Sequence, residues 1–248
     1  MAFGFSLMNL NEKYFLITGA ARRIGRSIAL TVAQAGGNVI IHYGHSESEA
    51  RSLLDTITGF GSEAHIIQAD FEDPHQAIQL VSKASSYGKL YALINNAAIF
   101  EPLNWQTTDL NSWNRHLSIN LTCPFLLCQA FVNQILPGES GRIINILDWR
   151  AFRPGVDHLP YTISKAGLAA LTRSMAISFA PNITVNGIAF GAILPPSDGA
   201  DSSDFLNNVP AQRWADMEEV NQTVLFLLQG PAYITGEIIH LDGGRHLV

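Results

Sequence analysis

A phenol and an ammonium group lie four residues apart, at Tyr161 and Lys165, in the segment YTISK. On a helix, this spacing places both side chains on one face. A phenol exchanges protons poorly at neutral pH because its ordinary pKa is about 10, but a cation within about 6 Å favours the phenolate. The pair predicts a proton donor whose pKa can be tuned. The alternative is a surface pair, because the pattern Tyr-x-x-x-Lys is common by chance.

A second feature is Pro124, which lies inside the long helical segment Asn111–Leu136. Proline has no N–H to donate to the carbonyl four residues earlier, which belongs to Asn120. The sequence therefore predicts a free carbonyl at Asn120. That carbonyl could hold a water or a lysine in a proton relay, and a simple proline kink explains the pattern equally well.

Directly after the first predicted strand, residues 18–25 read TGAARRIG and open a helix. The small residues let the backbone pass close to a pyrophosphate, and the N-terminus of a helix supplies free N–H groups and a positive dipole end. Any tight strand-to-helix turn favours glycine, so the glycines alone are weak evidence. Their position after the first strand of the predicted fold favours a dinucleotide site.

The end of the second predicted strand indicates which dinucleotide binds. An acidic residue there would bind the 2′-hydroxyl of NAD and repel the 2′-phosphate of NADP. Residues 41–46 read IHYGHS, without a carboxylate, and Arg22 and Arg23 lie in the turn opposite. A 2′-phosphate would meet cations and hydrogen-bond donors, which predicts NADPH. The alternative is two solvated arginines at a helix start, where they oppose the dipole unless an anion is near.

Short β-branched runs alternate with segments of helical spacing along the chain. The runs are continuously apolar, which is typical of strands covered on both faces. Seven are predicted as strands: Tyr14–Thr18, Val39–His42, His65–Gln68, Tyr91–Ile94, Arg142–Leu147, Ile183–Ile188 and Glu237–Leu241. Six segments are predicted as helices: Ile24–Ala35, Ser48–Thr58, His75–Ser86, Asn111–Leu136, Thr162–Phe179 and Met217–Leu228. This order predicts one α/β domain over residues 1–248, with a doubly wound, parallel, seven-stranded sheet and helices on both faces.

The composition narrows the class of protein. The chain has 248 residues, 47% of them hydrophobic and 15% charged, which excludes a disordered chain. The net charge of −6, without a basic run, makes a nucleic-acid partner unexpected. The start Met1–Asn11 does not resemble a signal peptide, and no apolar run is long enough to span a membrane, so we expect a cytoplasmic protein.

Two further segments complete the sequence-based expectations. Residues 191–215 are rich in Pro, Asp, Ser and Asn, and a loop of this length predicts a lid over the substrate. Cys123 and Cys128 form neither a disulfide framework nor a zinc pattern, so we expect buried thiols and no metal site.

Several motifs together resemble the short-chain dehydrogenase/reductase family over essentially the whole chain. They are the Thr18–Gly25 turn, Asp70 after the third strand, NNAA at 95–98, Asn120, the Tyr161 and Lys165 pair, and the LDGG ending at 241–244. The resemblance implies a Rossmann fold in which Tyr161 donates a proton, Lys165 holds the nicotinamide ribose and lowers the tyrosine pKa, and Asn120 completes a water relay. The expected cofactor contacts are Gly19, Arg22, Arg23, Ile24, Gly25, His42, Tyr43, His45, Ser46, Asp70, Phe71, Asn96, Ala97, Ala98, Tyr161, Lys165, Gly191 and Ile193.

Two departures from the family pattern resemble one of its branches. Arg23 replaces the middle glycine of the turn, and Asp148 stands thirteen positions before the tyrosine, where the family usually has serine. Both look like the pteridine reductases and the related dihydromonapterin reductases. In that branch, the arginine lies near the pterin and the pyrophosphate, and an aromatic residue at the place of Phe100 stacks on the pterin. His45 stands where the branch often has arginine, so we expect only a modest preference for NADPH.

The sequence therefore predicts an enzyme that reduces a dihydropterin to a tetrahydropterin with NADPH. The expected catalytic residues are Asn120, Asp148, Tyr161 and Lys165, and the expected substrate contacts are Arg23, Phe100, Asp148 and Tyr161. Taken alone, Phe100 is more typical of a core and Asp148 of a solvated strand end. The alternatives are a carbonyl or 3-oxoacyl reductase, with Asp148 in place of serine, and a catalytically weak NADP(H)-binding protein. The resemblance also implies a homotetramer, in which Arg245 or His246 could reach a neighbouring subunit's site.

Overall fold

The computed structural model describes residues 8–195 and 203–248, with the backbone alone for residues 203–205. The strands are β1 Tyr14–Ile17, β2 Asn38–Tyr43, β3 Ala64–Gln68, β4 Leu90–Asn95, β5 Gly141–Asp148, β6 Ile183–Phe190 and β7 Ile238–Leu241. The α-helices are α1 Arg23–Gln34, α2 Glu47–Gly59, α3 Pro74–Ser85, α4 Leu110–Leu117, α5 Cys123–Val132, α6 Leu159–Phe179 and α7 Met217–Gln229. Short helical turns lie at Ser118–Thr122, Trp149–Ala151, Ser203–Asn208 and Arg245–Leu247.

All seven strands pair in parallel, in the order β3-β2-β1-β4-β5-β6-β7. Helices α1, α2 and α7 cover one face, and α3, α5 and α6 cover the other. Every residue of β4 and β6 is buried, which explains why these strands are mostly apolar and do not alternate between apolar and polar residues. The predicted doubly wound sheet is confirmed.

The predicted continuous helix Asn111–Leu136 is wrong. The structure divides it into α4, a π-helical turn at Ser118–Thr122 and α5. Pro124 cannot donate to the carbonyl of Asn120, and the Cys123 N–H bonds to the Ser118 carbonyl five residues back, so the backbone takes a wider turn here. Helix α5 ends at Val132, well before Leu136, the residue that Pro137 disfavours in a helix.

The carboxyl ends of the strands carry most of the predicted site residues. In an open parallel sheet, ligands bind outside these ends where the strand order reverses, which is between β1 and β4 here. The predicted lid over 191–215 falls partly outside the described residues. Cys123 and Cys128 are buried free thiols as predicted, and burial raises the pKa of each to about 12. Within the described ranges, no helix combines the length and apolar character that crossing a membrane requires.

Candidate active site

The glycine turn after β1 passes close to the end of β4. Gly19 has a φ of +61°, in the left-handed region, and a Cβ added there would lie 3.0 Å from the Cα of Ala97. A Cβ on Gly25 would meet the Gly19 carbonyl and the side chain of Asn96. These glycines let the turn and the first turn of α1 pack against the β4 end.

Helix α1 begins with an N-terminus that attracts anions. Its N-cap, Arg22, makes no side-chain capping bond, and no acidic residue lies in its first turn. Arg23 adopts a φ of +51°, a conformation that suits the glycine usual at this place in the family, and its guanidinium donates to the Pro195 carbonyl at 3.0 Å. Ile24 follows and packs against the core beneath the turn.

A surface depression of about 330 Å³ lies beside this helix start. It is lined by Ala21, Arg22, Arg23, Arg26, Ser48, Glu49 and Ser52. Arg22 pairs loosely with Glu49, at 3.7 Å between charged atoms, and both side chains are well exposed. The donor set fits a phosphate group. Sequence reasoning found the first two arginines but missed Arg26 and Ser48, which come close only when α1 and α2 pack side by side.

His42 differs from its predicted role as a direct cofactor contact. It is only 2% exposed, its Nδ1 accepts from the Gly19 N–H at 3.1 Å, and its Nε2 donates to the Ala69 carbonyl at 2.9 Å. Burial lowers the pKa of His42 to about 4, so the ring is neutral at pH 7. Its ring also stacks on Phe71, with centroids 4.3 Å apart. His42 therefore holds the glycine turn and presents no free nitrogen to a ligand.

The carboxyl ends of β2 and β3 lie side by side. Tyr43 ends β2, and Ser46 is the N-cap of α2 without a side-chain capping bond. His45 is exposed, and its Nε2 lies 3.7 Å from Asp70. Together with Phe71, these residues border the side of the turn that faces away from β4.

At the end of β4, Asn96 and Ala97 bind the glycine turn directly. The Asn96 side chain donates to the carbonyls of Thr18 and Gly19 at 2.9 and 3.1 Å, and the backbone N–H groups of Asn96 and Ala97 donate to the Thr18 hydroxyl. Ala98, the next residue, is exposed. The NNAA run thus fixes the turn with its polar side chain and exposes its last alanine.

Asn120 lies in the π-helical turn and is fully buried. Its side chain accepts from the Ile99 N–H at 2.9 Å and donates to the Ile99 carbonyl at 3.0 Å and the Ser164 hydroxyl at 3.1 Å. The amide therefore joins the segment after β4 to helix α6. Ser164, which sequence reasoning missed, lies on the helix that carries Tyr161.

Tyr161, Lys165 and Asp148 come together beneath the carboxyl end of β5. Tyr161 lies in the first turn of α6 and donates its hydroxyl to Asp148 Oδ2 at 3.0 Å. Lys165 Nζ lies 5.8 Å from the Tyr161 ring centroid and donates to the Ile146 carbonyl at 2.7 Å. The shared face predicted for Tyr161 and Lys165 is therefore present.

Burial controls the titration of these three groups. It raises the pKa of Asp148, although the Arg150 N–H and the Tyr161 hydroxyl oppose the shift. Burial and the facing Asp148 carboxyl hold the pKa of Tyr161 well above its usual range, so the predicted lowering by Lys165 is not what this arrangement produces. Burial also lowers the pKa of Lys165 to about 8.

Sequence reasoning missed a group of side chains between Asp148 and Tyr161. Arg150 makes a bidentate ion pair with Asp157, with Nη1 to Oδ1 at 2.7 Å and Nη2 to Oδ2 at 3.1 Å. Asp157 Oδ2 also accepts from His158 Nδ1 at 2.9 Å. The His158 ring stacks on Phe100, which in turn meets Tyr161 edge-on. No short motif marks this group, because the charges lie on an irregular loop.

The last predicted contacts lie between β6 and the C-terminal turn. Gly191 donates its N–H to the Leu241 carbonyl at 3.1 Å, and a Cβ there would meet Asp242. Ile193 is buried. Arg245 packs its guanidinium 4.7 Å from the Trp149 ring centroid.

His246 Nδ1 binds Asp242 at 2.8 Å, and the His246 ring stacks on His240 with centroids 4.0 Å apart. These three residues are the one group of possible metal ligands among the described residues. One ligand atom from each of the three residues lies within 4.8 Å of the others. The group joins the end of β7 to the C-terminal helical turn.

The sequence is similar to proteins of one enzyme family. The sequence model of a family described as Enoyl-(Acyl carrier protein) reductase matches residues 19–246. A 3-oxoacyl-[acyl-carrier-protein] reductase from Synechocystis sp. is 32% identical over 240 residues, which cover 95% of this chain and 97% of that protein. The chain belongs to the short-chain dehydrogenase/reductase family.

Two solved structures similar to this short-chain oxidoreductase contain NADP. FolM alternative dihydrofolate reductase 1 from Brucella canis, complexed with NADP, is 33% identical, with a TM-score of 0.90 and 97% of each chain covered. A short chain dehydrogenase from Burkholderia cenocepacia, in complex with NADP, is 31% identical, with a TM-score of 0.90. That match covers 96% of this chain and 99% of the other. The shared fold and the glycine turn make this chain an oxidoreductase of the same family.

Proposed function

We propose that this oxidoreductase uses NADPH to reduce a dihydropterin to a tetrahydropterin. The observation that carries the proposal is the hydrogen bond from Tyr161 to Asp148, 3.0 Å long, beside the exposed ring of Phe100. A flat heteroaromatic substrate can stack on Phe100 while its ring nitrogen faces the Tyr161 and Asp148 pair. The likeness to an alternative dihydrofolate reductase supports a pterin-type substrate.

The cofactor is NADP(H), and the described residues fit it. The free N–H groups of α1, beside Gly19 and Gly25, suit the pyrophosphate, and Arg22 suits the 2′-phosphate. Asp70 and Phe71 would border the adenine, Asn96 to Ala98 the ribose, and Lys165 the nicotinamide ribose. Arg23 is held by Pro195 at the edge of the turn, where it can meet both the pyrophosphate and the substrate. The proposal also keeps the remaining predicted cofactor contacts, which are Ile24, Tyr43, His45, Ser46, Gly191 and Ile193. His42 contributes indirectly, because it holds Gly19 in place.

The reaction needs one hydride and one proton. Bound NADPH supplies the hydride to a ring carbon, and Tyr161 supplies the proton to the adjacent ring nitrogen. The raised pKa of Tyr161 keeps its hydroxyl protonated before transfer. Asp148, with its own pKa raised by burial, shares the proton of Tyr161 and orders the donor. Lys165 lies 5.8 Å from the Tyr161 ring centroid, and Asn120 is bonded to Ser164 of the same helix, so both would serve the water relay that returns a proton to Tyr161.

The second candidate is reduction of a 3-oxoacyl thioester. The names of the sequence relatives favour it. In that reaction, a protonated Asp148 would donate to the ketone oxygen, a task that serine performs in the wider family. The exposed ring of Phe100 has no task in this alternative, because an acyl chain offers no flat ring to stack.

The Asp148→Ser variant separates the two candidates. We expect it to lose dihydrobiopterin reduction by about a hundredfold or more, because the proton donor loses the carboxyl group that orders it. The measurement follows NADPH absorbance with dihydrobiopterin and with a 3-oxoacyl thioester, for both wild type and variant. The pterin proposal would be overturned if the wild-type enzyme did not reduce dihydrobiopterin and the Asp148→Ser variant reduced the thioester faster than wild type does.

We further infer a homotetramer. Apolar side chains stand exposed on the outer surfaces of α4, α5 and α6: Leu110, Phe125, Ile163 and Ile177. Helices α4 and α5 both contact α6, and exposed apolar side chains on neighbouring helices favour association.

A further inference from the structure

The imidazole of His158 lies flat against the ring of Phe100. The ring centroids are 3.9 Å apart, and the planes are 10° from parallel. Tyr161 meets Phe100 from a different side, edge-on at 4.7 Å. One face of Phe100 is therefore covered, yet 54% of the residue stays exposed. The Arg150 guanidinium also lies 6.0 Å from the ring centroid, and a flat substrate ring would stack on the part of Phe100 that stays exposed.

Both the backbone and the ring of His158 are held in place. Its backbone takes a left-handed conformation, φ +53°, at the N-cap of α6. Its Nδ1 lies 2.9 Å from Asp157 Oδ2, and since a carboxylate only accepts, Nδ1 carries the proton. Arg150 holds Asp157 through two bonds and is itself only 12% exposed. Burial lowers the pKa of His158, so the stacked ring is neutral at pH 7.

The same arginine ties this stack to the proton donor. The backbone N–H of Arg150 donates to Asp148 Oδ1 at 2.8 Å, and the other oxygen of Asp148 accepts from Tyr161. Contacts therefore run in a closed circuit from Asp148 through Arg150, Asp157, His158 and Phe100 to Tyr161. A ring stacked on Phe100 is held at a fixed place relative to the hydroxyl of Tyr161.

We propose that His158 is a positioning residue that backs Phe100, so that a planar heteroaromatic substrate binds as the outer layer of a three-layer stack. The inference rests on the proposed function, because it takes a dihydropterin as the ring that stacks on the exposed part of Phe100. Each layer of such a stack contributes about 0.5–1.5 kcal/mol, which corresponds to a two- to tenfold change in affinity. The stack offers nothing to an acyl chain.

Two substitutions separate the stacking ring from the hydrogen bond to Asp157. His158→Asn keeps a donor and suits the left-handed backbone but removes the ring. We expect it to raise KM for dihydrobiopterin about fivefold, with kcat within about twofold and an unchanged Kd for NADPH. His158→Phe keeps the ring and loses the donor, and we expect it to recover most of the lost KM.

His65 provides a matched control. It also stacks on an aromatic ring, Tyr87, at 3.7 Å, and binds a carboxylate, Glu63, at 2.7 Å, but it lies near the opposite end of β3 from the site. We expect His65→Asn to leave KM, kcat and the Kd for NADPH unchanged.

The outcomes distinguish failure of this inference from failure of the proposed function. Wild type that reduces dihydrobiopterin, with a His158→Asn variant of equal KM, overturns the inference alone. The inference alone is also overturned if His158→Asn raises KM and His158→Phe raises it as much. If wild type binds oxidised biopterin, measured by quenching of pterin fluorescence, but does not reduce dihydrobiopterin, the proposed function fails, and the same variants are compared by their Kd for biopterin. Wild type that neither binds nor reduces a pterin overturns both.

Discussion

At the scale of single residues, the site buries three titratable groups within a few ångströms of one another. Asp148, Tyr161 and Lys165 each have a pKa shifted by burial, and every shift favours the neutral form. A buried charge is costly unless it is paired, so a proton moves among these groups more cheaply than an isolated charge is created. The three groups are therefore suited to transferring a single proton to a bound substrate.

The lowered pKa of Lys165 makes stability depend on pH. The unfolded chain keeps this lysine protonated up to about its usual pKa of 10.5, whereas the folded protein releases the proton near pH 8. Between these values the unfolded state binds more protons, so the free energy of unfolding rises with pH, by at most about 3 kcal/mol from this group. We expect urea denaturation without cofactor to show wild type gaining stability relative to Lys165→Met from about pH 8 to about pH 10. A constant difference across that range would contradict the burial of an ionisable Lys165.

At the scale of elements, the glycine turn depends on bonds from three other strands. His42 of β2 accepts from Gly19, Asn96 after β4 donates to its carbonyl, and Ala69 after β3 holds the other side of the His42 ring. The turn is therefore shaped by its neighbours as much as by its own residues. A side chain at Gly25 would clash with two of the groups that form these bonds, the Gly19 carbonyl and the Asn96 amide.

A methyl group at Gly25 tests this dependence. We expect Gly25→Ala to raise the Kd for NADPH at least about tenfold, because its Cβ would push the Asn96 amide and the Gly19 carbonyl apart. The measurement is titration of NADPH fluorescence. Gly59→Ala is the control, since a Cβ at that end of α2 meets nothing within 4 Å, and we expect an unchanged Kd. Equal affinities for the two variants would show that the turn tolerates a side chain.

At the scale of the whole molecule, the exposed apolar surface predicts self-association. We expect sedimentation equilibrium to give about four times the 27.0 kDa mass of the chain. Combining Phe125→Glu with Ile163→Glu should lower that mass, because two charges would enter a desolvated contact between helices. Phe60→Glu, which changes an equally exposed ring at the end of α2, should leave the mass unchanged. A monomeric wild type would contradict the tetramer.

The sequence predicted the seven strands, most of the helices and most of the polar groups at the carboxyl ends of the strands, although it joined α4 and α5 into one helix. Strands such as β4 and β6 are buried on both faces, so their mostly apolar residues identify them as strands without any tertiary information. Tyr161 and Lys165 are four residues apart on one helix, so local geometry alone brings them together. Arg23 and Asp148 stood out because they depart from a family pattern.

Only the tertiary structure decided what depends on contacts between distant segments. Pro124 marks an interruption near Asn120 in the sequence itself, but the bonds that join the Asn120 side chain to Ile99 and Ser164 come from distant segments. The ring of His42 is held by Gly19 and Ala69, which follow two other strands. The Phe100 and His158 stack joins the segment after β4 to the start of α6. Burial and long-range hydrogen bonds set these states, and neither is a property of neighbouring residues in the chain.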